Sequence, residues 1–527
     1  MQRHSQPKAQ RGKLDSIAMD CLMEQMISNM DADDMGWSGW SPELDWTAFA
    51  GAASFDDGDV DIVQSMRCKD EDYGLDGAPP LHEWSTSASA SSAGTPTEDT
   101  TAVALDAGGE DDRGLRMVHL LMAVAEALSG SANSGDLAQV ILARLKELVV
   151  TAAASGGAAT SMVRLAAHFS DALQGILDGA GGWASGEANC PGDLLEAFRL
   201  LEDMSPYVKF GHFTANQAIL EAVAGERRLH IVDYDVMEGA QWPSLMQALM
   251  SRNDGLPTPR LKITAVTGSG RCRRSAATVQ ETGRRLAGFA ASIGLPFSFC
   301  LCRLDYDETF RPATVKTVKG EAVVLNCVIN PPHLPHHAAA SVGSFLAGAT
   351  ELGARLVTIV EEEASAAAAG GGGDGGDEGF TARFLDELQR YSAILDSLEA
   401  GFPMQDRARR VVEKVILGPR IAGAVGRAYR QRVEGEMAAK GWSERVEAAG
   451  FRRVGLSFFN LCQARLLLGL FNDGYRVEEE APNKLVLCWK SCRLFSTSVW
   501  SAPAAAPPSA LVPAGFSFEE SELFNFY

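Results

Sequence analysis

The residues best placed to do chemistry lie in one stretch of the sequence, Leu229–Leu245. An apolar run there ends in an acid, Asp233, as a buried parallel strand would. A polar loop with a single glycine, Gly239, follows. Trp242-Pro243 then opens a helical pattern, since proline is tolerated in a first helical turn. In an α/β fold a dinucleotide or S-adenosylmethionine binds where the first strand passes into its helix, so a nucleotide-type site is the first chemistry to consider.

The loop after Asp233 lacks the features that such a site requires. Several glycines are needed so that the backbone can approach the ligand, and an acid at the end of the second strand holds the ribose. Here the second predicted strand runs into the segment 266–270 without an acid, and Gly239 has bulky neighbours: Tyr234, Val236 and Met237. Asp233 and Asp235 remain candidate polar anchors. We expect side chains to fill this pocket and no cofactor to bind; a methyltransferase dependent on S-adenosylmethionine is the alternative function.

Two further clusters contain histidines or glutamates, which are residue types that can bind a metal. His333, His336 and His337 lie in a proline-rich segment, but no nearby carboxylate or cysteine pattern completes a ligand set, so we interpret the segment as a stiff loop. Glu361-Glu362-Glu363 lies at the end of the fifth predicted strand and is most simply a solvated rim, with a metal-binding acid cluster as the alternative. The ten cysteines show no zinc-type spacing and fit a reducing compartment. We therefore predict no bound metal.

The candidates for direct contact with DNA are basic residues that follow the second strand: Arg271, Arg273 and Arg274. Such residues neutralise phosphates, although a solvated helix face is the commoner meaning of a basic run. The net charge of -21 is concentrated at the amino end, where residues 1–112 contain 23 Asp and Glu but only 6 Lys and Arg. The rest of the chain is close to neutral, so strong unaided binding to DNA is not expected.

The acidic segment 1–112 is predicted to be a largely disordered arm. Its interspersed tryptophans and phenylalanines also fit an activation or docking segment that folds on a partner. The tail 502–527 is predicted to be flexible, with a phenylalanine-rich, acidic end that is a second candidate for docking. No run of about 18 apolar residues occurs, so we expect no membrane span and no membrane partner.

Hydrophobic spacing predicts how the remaining chain is organised. Apolar residues recur at helical spacing in 113–224, which predicts an α-helical cap whose first helix places four residues on one face, for core packing or partner docking: Leu120, Leu121, Val124 and Leu128. From 225 to 501, strands alternate with helices, which predicts a Rossmann-like, mostly parallel α/β core with right-handed crossovers. A glycine-rich stretch, 364–379, is predicted to be a flexible insertion in that core.

Eight strands are predicted, at 229–233, 261–266, 297–301, 322–328, 355–361, 451–456, 475–478 and 484–489. A polar Pro482-Asn483 turn separates the last two, so they are expected to pair as an antiparallel hairpin. A parallel sheet closed by a C-terminal hairpin resembles the arrangement of seven-stranded methyltransferases.

The stretch Leu229–Leu245 resembles the hallmark of the GRAS family of plant transcription regulators, a Val-His-Ile-Ile-Asp motif followed by Gln-Trp-Pro. Residues 206–222 are similar to the family's approach to that motif. Arg383-Phe384, Tyr391-Ser392 and Arg420-Ile421 are similar to its central block, although Pro419 and Arg420 stand where Arg-Glu-Ile is usual. The end of the core, Ser498-Val499-Trp500, is similar to the closing Ser-Ala-Trp motif. The resemblance covers about 113–501 in the family's order.

The resemblance implies a nuclear, non-enzymatic regulator with a helical cap on a Rossmann-like core. Its partner would be another GRAS-family protein, in a heterodimer or homodimer, with DNA contacted through that partner. Segments 232–239 and 246–249 are most similar to the branch of the family that acts in nodulation signalling, which implies roles in mycorrhizal symbiosis and strigolactone biosynthesis as well. We assign the motif residues to the shape of the core and interface: Asp233, Gln241, Trp242, Pro243 and Trp500.

Overall fold

The computed structural model describes residues 101–130, 134–154, 160–179, 191–252, 257–268, 275–332, 338–363, 378–402, 405–434 and 441–503. Several predicted features lie outside the described residues: the arm up to residue 100, the histidine segment 333–337, most of the glycine-rich insertion, the tail from residue 504, and Arg271, Arg273 and Arg274. Within the described ranges, no helix is long and apolar enough to cross a membrane. No three His, Cys, Asp or Glu residues in those ranges come together as metal ligands.

In the part of the chain from residue 101 that the structure describes, five helices precede the first strand: α1 (Thr101–Ser129), α2 (Ser134–Ala154), α3 (Ser161–Leu177), α4 (Pro191–Met204) and α5 (Tyr207–Ala222). The first begins at Thr101, before the predicted start of the cap at residue 113, because 101–107 is rich in alanine and aliphatic residues that favour a helix. A threonine caps α3, where the backbone N–H of Val163 donates to Thr160 Oγ1 at 3.4 Å.

Nine strands form one sheet: β1 (Arg228–Tyr234), β2 (Arg260–Thr267), β3 (Phe297–Arg303), β4 (Ala322–Val328), β5 (Leu356–Glu362), β6 (Arg452–Arg453), β7 (Tyr475–Ala481), β8 (Lys484–Trp489) and β9 (Cys492–Ser501). The strand order is β3-β2-β1-β4-β5-β9-β8-β7, and β6 pairs with β9. Strands β1 to β5 are parallel, whereas β7, β8 and β9 pair antiparallel. The predicted fold class, a Rossmann-like sheet with an antiparallel C-terminal hairpin, is confirmed.

Two details of the sheet differ from the prediction. The strand predicted at 451–456 is reduced to the two residues of β6. The segment 492–501 was not predicted as a strand, yet it forms β9, which lies between β5 and β8. Its centre, Ser496-Thr497-Ser498, is fully buried although it is polar. Apolar periodicity therefore gave no signal for this strand, because its hydroxyl side chains pack inside the sheet layer.

Core helices cover both faces of the sheet: α6 (Gln241–Met250), α7 (Ala276–Ser292), α8 (Ala339–Glu351), α12 (Trp442–Ala448) and α13 (Phe458–Leu468). Alternate residues of β1 point to opposite faces, as the two-residue period of a strand requires. Leu229 and Ile231 pack with α5, α6 and α7. Val232 and Tyr234 pack with α8 on the other face. The cap helix α5 is thus part of one core layer.

The helical cap is built from two separate segments of the chain. Helices α9 (Glu378–Gly401), α10 (Asp406–Val412) and α11 (Gly418–Glu434), with a π-helical turn at Glu413–Leu417, share one apolar cluster with α1, α2 and α3. The ring of Phe169 on α3 meets that of Phe384 on α9 edge-on at 5.5 Å. Arg164 pairs with Glu413 at 3.0 Å between partly buried side chains. The sequence-based division assigns the second segment to the α/β core, and the same apolar cluster also contains side chains of β7, β8 and β9.

Candidate functional site

The carboxyl end of β1 holds a buried acid whose two oxygens are both occupied by protein donors. Asp233 lies opposite Asn326 in the parallel pairing of β1 with β4. Asn326 Nδ2 donates to Asp233 Oδ1 at 2.8 Å, and Trp242 Nε1 donates to Asp233 Oδ2 at 3.0 Å. All three side chains are almost completely buried. The helix after β1 therefore directs the indole of Trp242 towards the strand end.

Further amide side chains extend this contact into a network. Gln241 and Asn326 exchange hydrogen bonds, with Asn326 Nδ2 donating to Gln241 Oε1 at 3.0 Å. Gln241 Nε2 donates to Asn216 Oδ1 on α5 at 3.1 Å, and Asn216 Nδ2 donates to Ser244 Oγ at 3.0 Å. On the other side Thr358 Oγ1 of β5 donates to Asn326 Oδ1 at 2.7 Å. This neutral network, defined by Asp233, Trp242, Asn326, Gln241, Asn216, Ser244 and Thr358, joins α5, α6 and three strands.

Burial raises the pKa of Asp233 to about 7, and the nearby carboxylate of Asp235 acts in the same direction. The hydrogen bonds from Asn326 and Trp242 lower the pKa, but they do not compensate for the loss of water. Near neutral pH the group is therefore easily protonated, which removes the cost of a buried charge from the centre of the network.

The loop after β1 has the left-handed backbone that a glycine-rich ligand loop would have, with different residues. Asp235 and Met237 adopt φ of 74° and 49°, and Gly239 adopts 79°. Asp235 suits this conformation because its Oδ1 accepts from the backbone N–H of Met237 at 3.2 Å. A Cβ at Gly239 would lie 2.9 Å from Cγ2 of Thr282 on α7. The single glycine thus allows close packing of helix against loop.

Apolar side chains close the space on either side of Asp233. Met237 is buried with Val328 and Val360, which lie near the carboxyl ends of β4 and β5. On the opposite face the ring of Tyr234 packs against that of Phe345 at 4.9 Å, and its hydroxyl donates to Ser341 at 2.9 Å. The expectation that side chains fill this end of the sheet is confirmed for the residues that the structure describes.

The acids at the end of β5, Glu361, Glu362 and Glu363, are not a solvated rim, so that interpretation was wrong. Glu361 and Glu363 are each 6% exposed. Glu361 caps α12, where it accepts from the backbone N–H of Trp442 at 2.9 Å and from the hydroxyl of Ser443 at 2.8 Å. Glu363 pairs with Lys484 of β8 at 2.7 Å and with a β9 arginine. These contacts bury the acids because β8, β9 and α12 fold over the end of β5.

Glu362 is held by two arginines from the second cap segment. Arg420 of α11 binds the Glu362 carboxylate and also donates to the carbonyl oxygens of Asn330 and Pro331, both at 3.0 Å. Arg390 of α9 lies 3.7 Å from the same carboxylate. Burial raises the pKa of Glu362, but Arg420 and then Arg390 outweigh it and hold the pKa below its ordinary value. This ionic network, defined by Glu361, Glu362, Glu363, Arg390, Arg420, Lys484 and Arg493, ties the sheet to the cap.

The other predicted motif residues lie in the core. Pro243 is buried in the first turn of α6. Trp500 is 2% exposed on β9, where its Nε1 donates to Ser498 Oγ at 2.9 Å. Asn326 and Thr358 were not singled out from the sequence. In the sequence, Asn326 is the one amide in the otherwise apolar run of β4. Its role could not be predicted from that run, because its partner Asp233 lies on another strand.

The predicted docking residues of the cap mostly face inwards. Leu121, Val124 and Leu128 belong to the apolar cluster of the cap, and Leu120 is partly buried against it. The exposed apolar residues of these helices lie elsewhere. On α2, a stripe at helical spacing contains Leu137 and Val140, which are 56% and 69% exposed, followed by the half-buried Ile141 and Leu148.

The sheet, its filled strand end and the two-segment cap define a class of protein in which a Rossmann-like scaffold carries a structural polar network where a nucleotide would bind. The chain belongs to the GRAS domain family, which matches residues 117–501. The family resemblance drawn from the sequence motifs is thereby confirmed.

Several known proteins are similar to this chain. It is 56% identical over 414 residues to Protein NODULATION SIGNALING PATHWAY 2 of Medicago truncatula, which covers 75% of this chain and 78% of that protein. It is 57% identical over 401 residues to the protein of the same name from Lotus japonicus, covering 74% and 77%. Scarecrow-like protein 26 of Arabidopsis thaliana is 47% identical over 403 residues, covering 75% and 79%. The crystal structure of SCL7 in Oryza sativa superimposes with a TM-score of 0.58 at 31% identity, over 73% of this chain and 99% of that one.

Proposed function

We propose that this chain is a nuclear transcriptional regulator of nodulation signalling that works by assembling with another GRAS-family protein, and that it is not an enzyme. The observation that carries the proposal is the neutral network at the end of β1. Both oxygens of Asp233 accept hydrogen bonds from buried side chains, so this acid is engaged by the protein itself. The likeness to proteins named for nodulation signalling supports the choice of pathway.

The finer parts of the proposal follow from the same family branch. We include roles in mycorrhizal symbiosis and in the expression of strigolactone biosynthesis genes. We also propose that DNA is contacted through the partner, with Arg271, Arg273 and Arg274 as the residues to examine if the chain touches phosphates itself. A shift assay titrated with salt tests this point, because phosphate contacts weaken steeply as salt rises.

The surface proposed for the partner is the exposed stripe of α2. Apolar residues at helical spacing on a solvent-facing helix suit a groove or a second helix on another protein. Leu137 and Val140 are the most exposed residues of the stripe, and Ile141 and Leu148 continue it along the helix. The inward-facing residues of α1 support this surface from beneath by packing α1 against the cap: Leu121, Val124 and Leu128.

Binding measured with purified full-length chains and a panel of GRAS-domain proteins tests the proposal. Leu137→Asp with Val140→Asp places charge on the exposed stripe, and we expect it to weaken binding at least about tenfold, because each charge is desolvated in an apolar interface. Val150→Asp is the matched control, since Val150 is 66% exposed on another side of the same helix. Equal binding by the stripe variant and the control, or no binding by any member of the panel, would reject the proposal.

Calorimetry with S-adenosylmethionine addresses the alternative, a methyltransferase. We expect no saturable heat with the full chain. Saturable binding that is lost when Asp233 is changed would count in favour of the enzyme and against the regulator.

A further inference from the structure

Helix α13 presents an apolar face that no described part of the chain covers. One side of the helix buries Ala464, Leu467 and Leu468. Four large apolar side chains on the helix and just after it are more than half exposed: Phe458, Phe459, Leu466 and Leu470. A helix that is apolar on all sides is normally buried on all sides. A contiguous apolar patch on this scale indicates a contact surface.

The patch includes a socket. A cavity of about 140 Å³ opens between α5, α6 and α13, and its apolar lining residues are Phe213, Leu220, Ala248 and Phe459. Its polar lining residues are Gln217 and Gln463, together with Asn216 and Ser244 of the neutral network. Cavities of about 150 Å³ accept one benzene-sized ring. The shape and lining therefore suit a single aromatic side chain beside an apolar helix face.

The chain itself supplies such residues in its C-terminal segment. Its last twelve residues read Phe-Ser-Phe-Glu-Glu-Ser-Glu-Leu-Phe-Asn-Phe-Tyr, from Phe516 to Tyr527. They combine six large apolar side chains with three acids and no base. Helix α13 carries a base, Arg465, and no acid. The two surfaces are therefore complementary both in apolar area and in charge.

The chain leaves the described region at the end of β9, where Pro503 lies beside Gly450. Ser501 of β9 pairs with Arg452 of β6, six residues before Phe458, the first residue of α13. The residue after β6, Val454, also lies beside β9, because its backbone N–H donates to the carbonyl of Val499 at 3.1 Å. Twelve residues lie between Pro503 and Phe516, and the thirteen steps from one to the other span up to about 43 Å when extended. The helix is only about 16 Å long, so the tail reaches every part of it.

We propose that the C-terminal segment 516–527 docks on the exposed face of α13 and places an aromatic ring in the cavity beside Phe459. A tether of this length holds the segment at an effective concentration in the millimolar range. Even a weak contact is therefore largely formed within one chain. The docked tail covers an apolar face that would otherwise associate with other proteins, and any partner of that face must displace it.

Hydrogen exchange of the full-length chain tests the proposal. We compare it with a chain that ends at Gly515 and follow the peptide covering 458–470. Removal of the tail is expected to raise exchange in this peptide about tenfold, with no change in β1 or β4. A synthetic 516–527 peptide added to the shortened chain should restore the protection. A full-length variant with Phe516, Phe518, Phe524 and Phe526 changed to serine should behave like the shortened chain, whereas Ser517→Ala with Ser521→Ala should not.

The outcomes separate the docked tail from the other occupants of the face. Unchanged exchange after removal of the tail would overturn the proposal. Protection that appears only as the protein concentration rises would assign the face to a second copy of the chain and would also overturn it. Phe459→Gln, an exposed position that the fold tolerates, should remove the effect of the tail while leaving the melting temperature of the shortened chain unchanged.

Discussion

The ends of β1 and β5 lie at the same edge of the sheet, two strands apart, and each buries acidic side chains in a different way. Asp233 ends β1 inside a network of neutral amides, an indole and hydroxyls. The acids at the end of β5 are instead matched by arginines and a lysine. The first arrangement draws its donors mainly from the α/β core, whereas the second reaches into α9 and α11 of the cap.

The difference shows two ways in which acidic groups at a strand end are engaged by other parts of the chain. At β1, the helix that would present its N-terminus to a phosphate sends Gln241 and Trp242 back to the strand. At β5, the carboxylates that could bind a metal or a base instead bind helices from distant parts of the chain. Neutral partners make the first site sensitive to shape, while charged partners make the second sensitive to the loss of one charge.

The largest effect is expected when the neutral network loses its indole. Trp242→Ala should lower the free energy of unfolding by about 5 kcal/mol, because it opens a cavity and removes a donor from Asp233. Trp242→Phe keeps most of the volume and should lose less than half as much. Urea denaturation of both variants measures this. An equal loss in the two would show that the indole N–H, and not the packing, supports the strand end.

The ionic network is tested by removing one charge. Arg420→Met should cost about 3 kcal/mol, since it leaves the Glu362 carboxylate buried and paired with the more distant Arg390. Adding Glu362→Gln to the same chain should recover part of the loss. Arg144→Met, in a pair with Glu147 that is exposed on both sides, is the control and should have no measurable effect. If the double variant is no more stable than Arg420→Met, the contact is not mainly ionic.

The two strand ends should respond oppositely to pH. The pKa of Asp233 is raised to about 7, so its contribution to stability is complete below the pKa of the unfolded chain and is lost as pH rises through 7. The pKa of Glu362 is lowered, so its contribution is present above the unfolded value and is lost as pH falls. Between pH 5 and pH 8 the wild type should lose roughly 2 kcal/mol relative to Asp233→Asn. A constant difference across this range would contradict the raised pKa.

The smallest effect concerns the lone glycine of the loop. Gly239 and Gly294 have similar φ, 79° and 74°, but only a Cβ at Gly239 would meet a neighbour, Thr282 at 2.9 Å. Gly239→Ala should therefore be about 1 kcal/mol more destabilising than Gly294→Ala. Thr282→Ser removes the methyl group and should reduce the difference when combined with Gly239→Ala. Melting temperatures suffice for the comparison, and no rescue by Thr282→Ser would place the cost in the backbone alone.

Local patterns were enough to predict the parallel strands, the helices between them and the filled site after β1. The apolar run to Asp233, the bulky loop and the Trp242-Pro243 start of α6 are all read within seventeen consecutive residues. The same reading missed β9 and placed the acids at the end of β5 in solvent. It did not show that 378–434 packs with α1, α2 and α3, because helical spacing shows that a face is buried but not against what.

The sequence by itself determined the α/β class, the family and the side chains that stand where a ligand loop would be, because these depend on residues close together in the chain. Only the tertiary structure decided which partners those side chains have. Asn326 reaches Asp233, and Arg420 reaches Glu362, across 93 and 58 residues. A polar group is buried when distant segments of the chain exclude water from it. Hydrophobic periodicity is a local property, so it does not show which distant segments will do so.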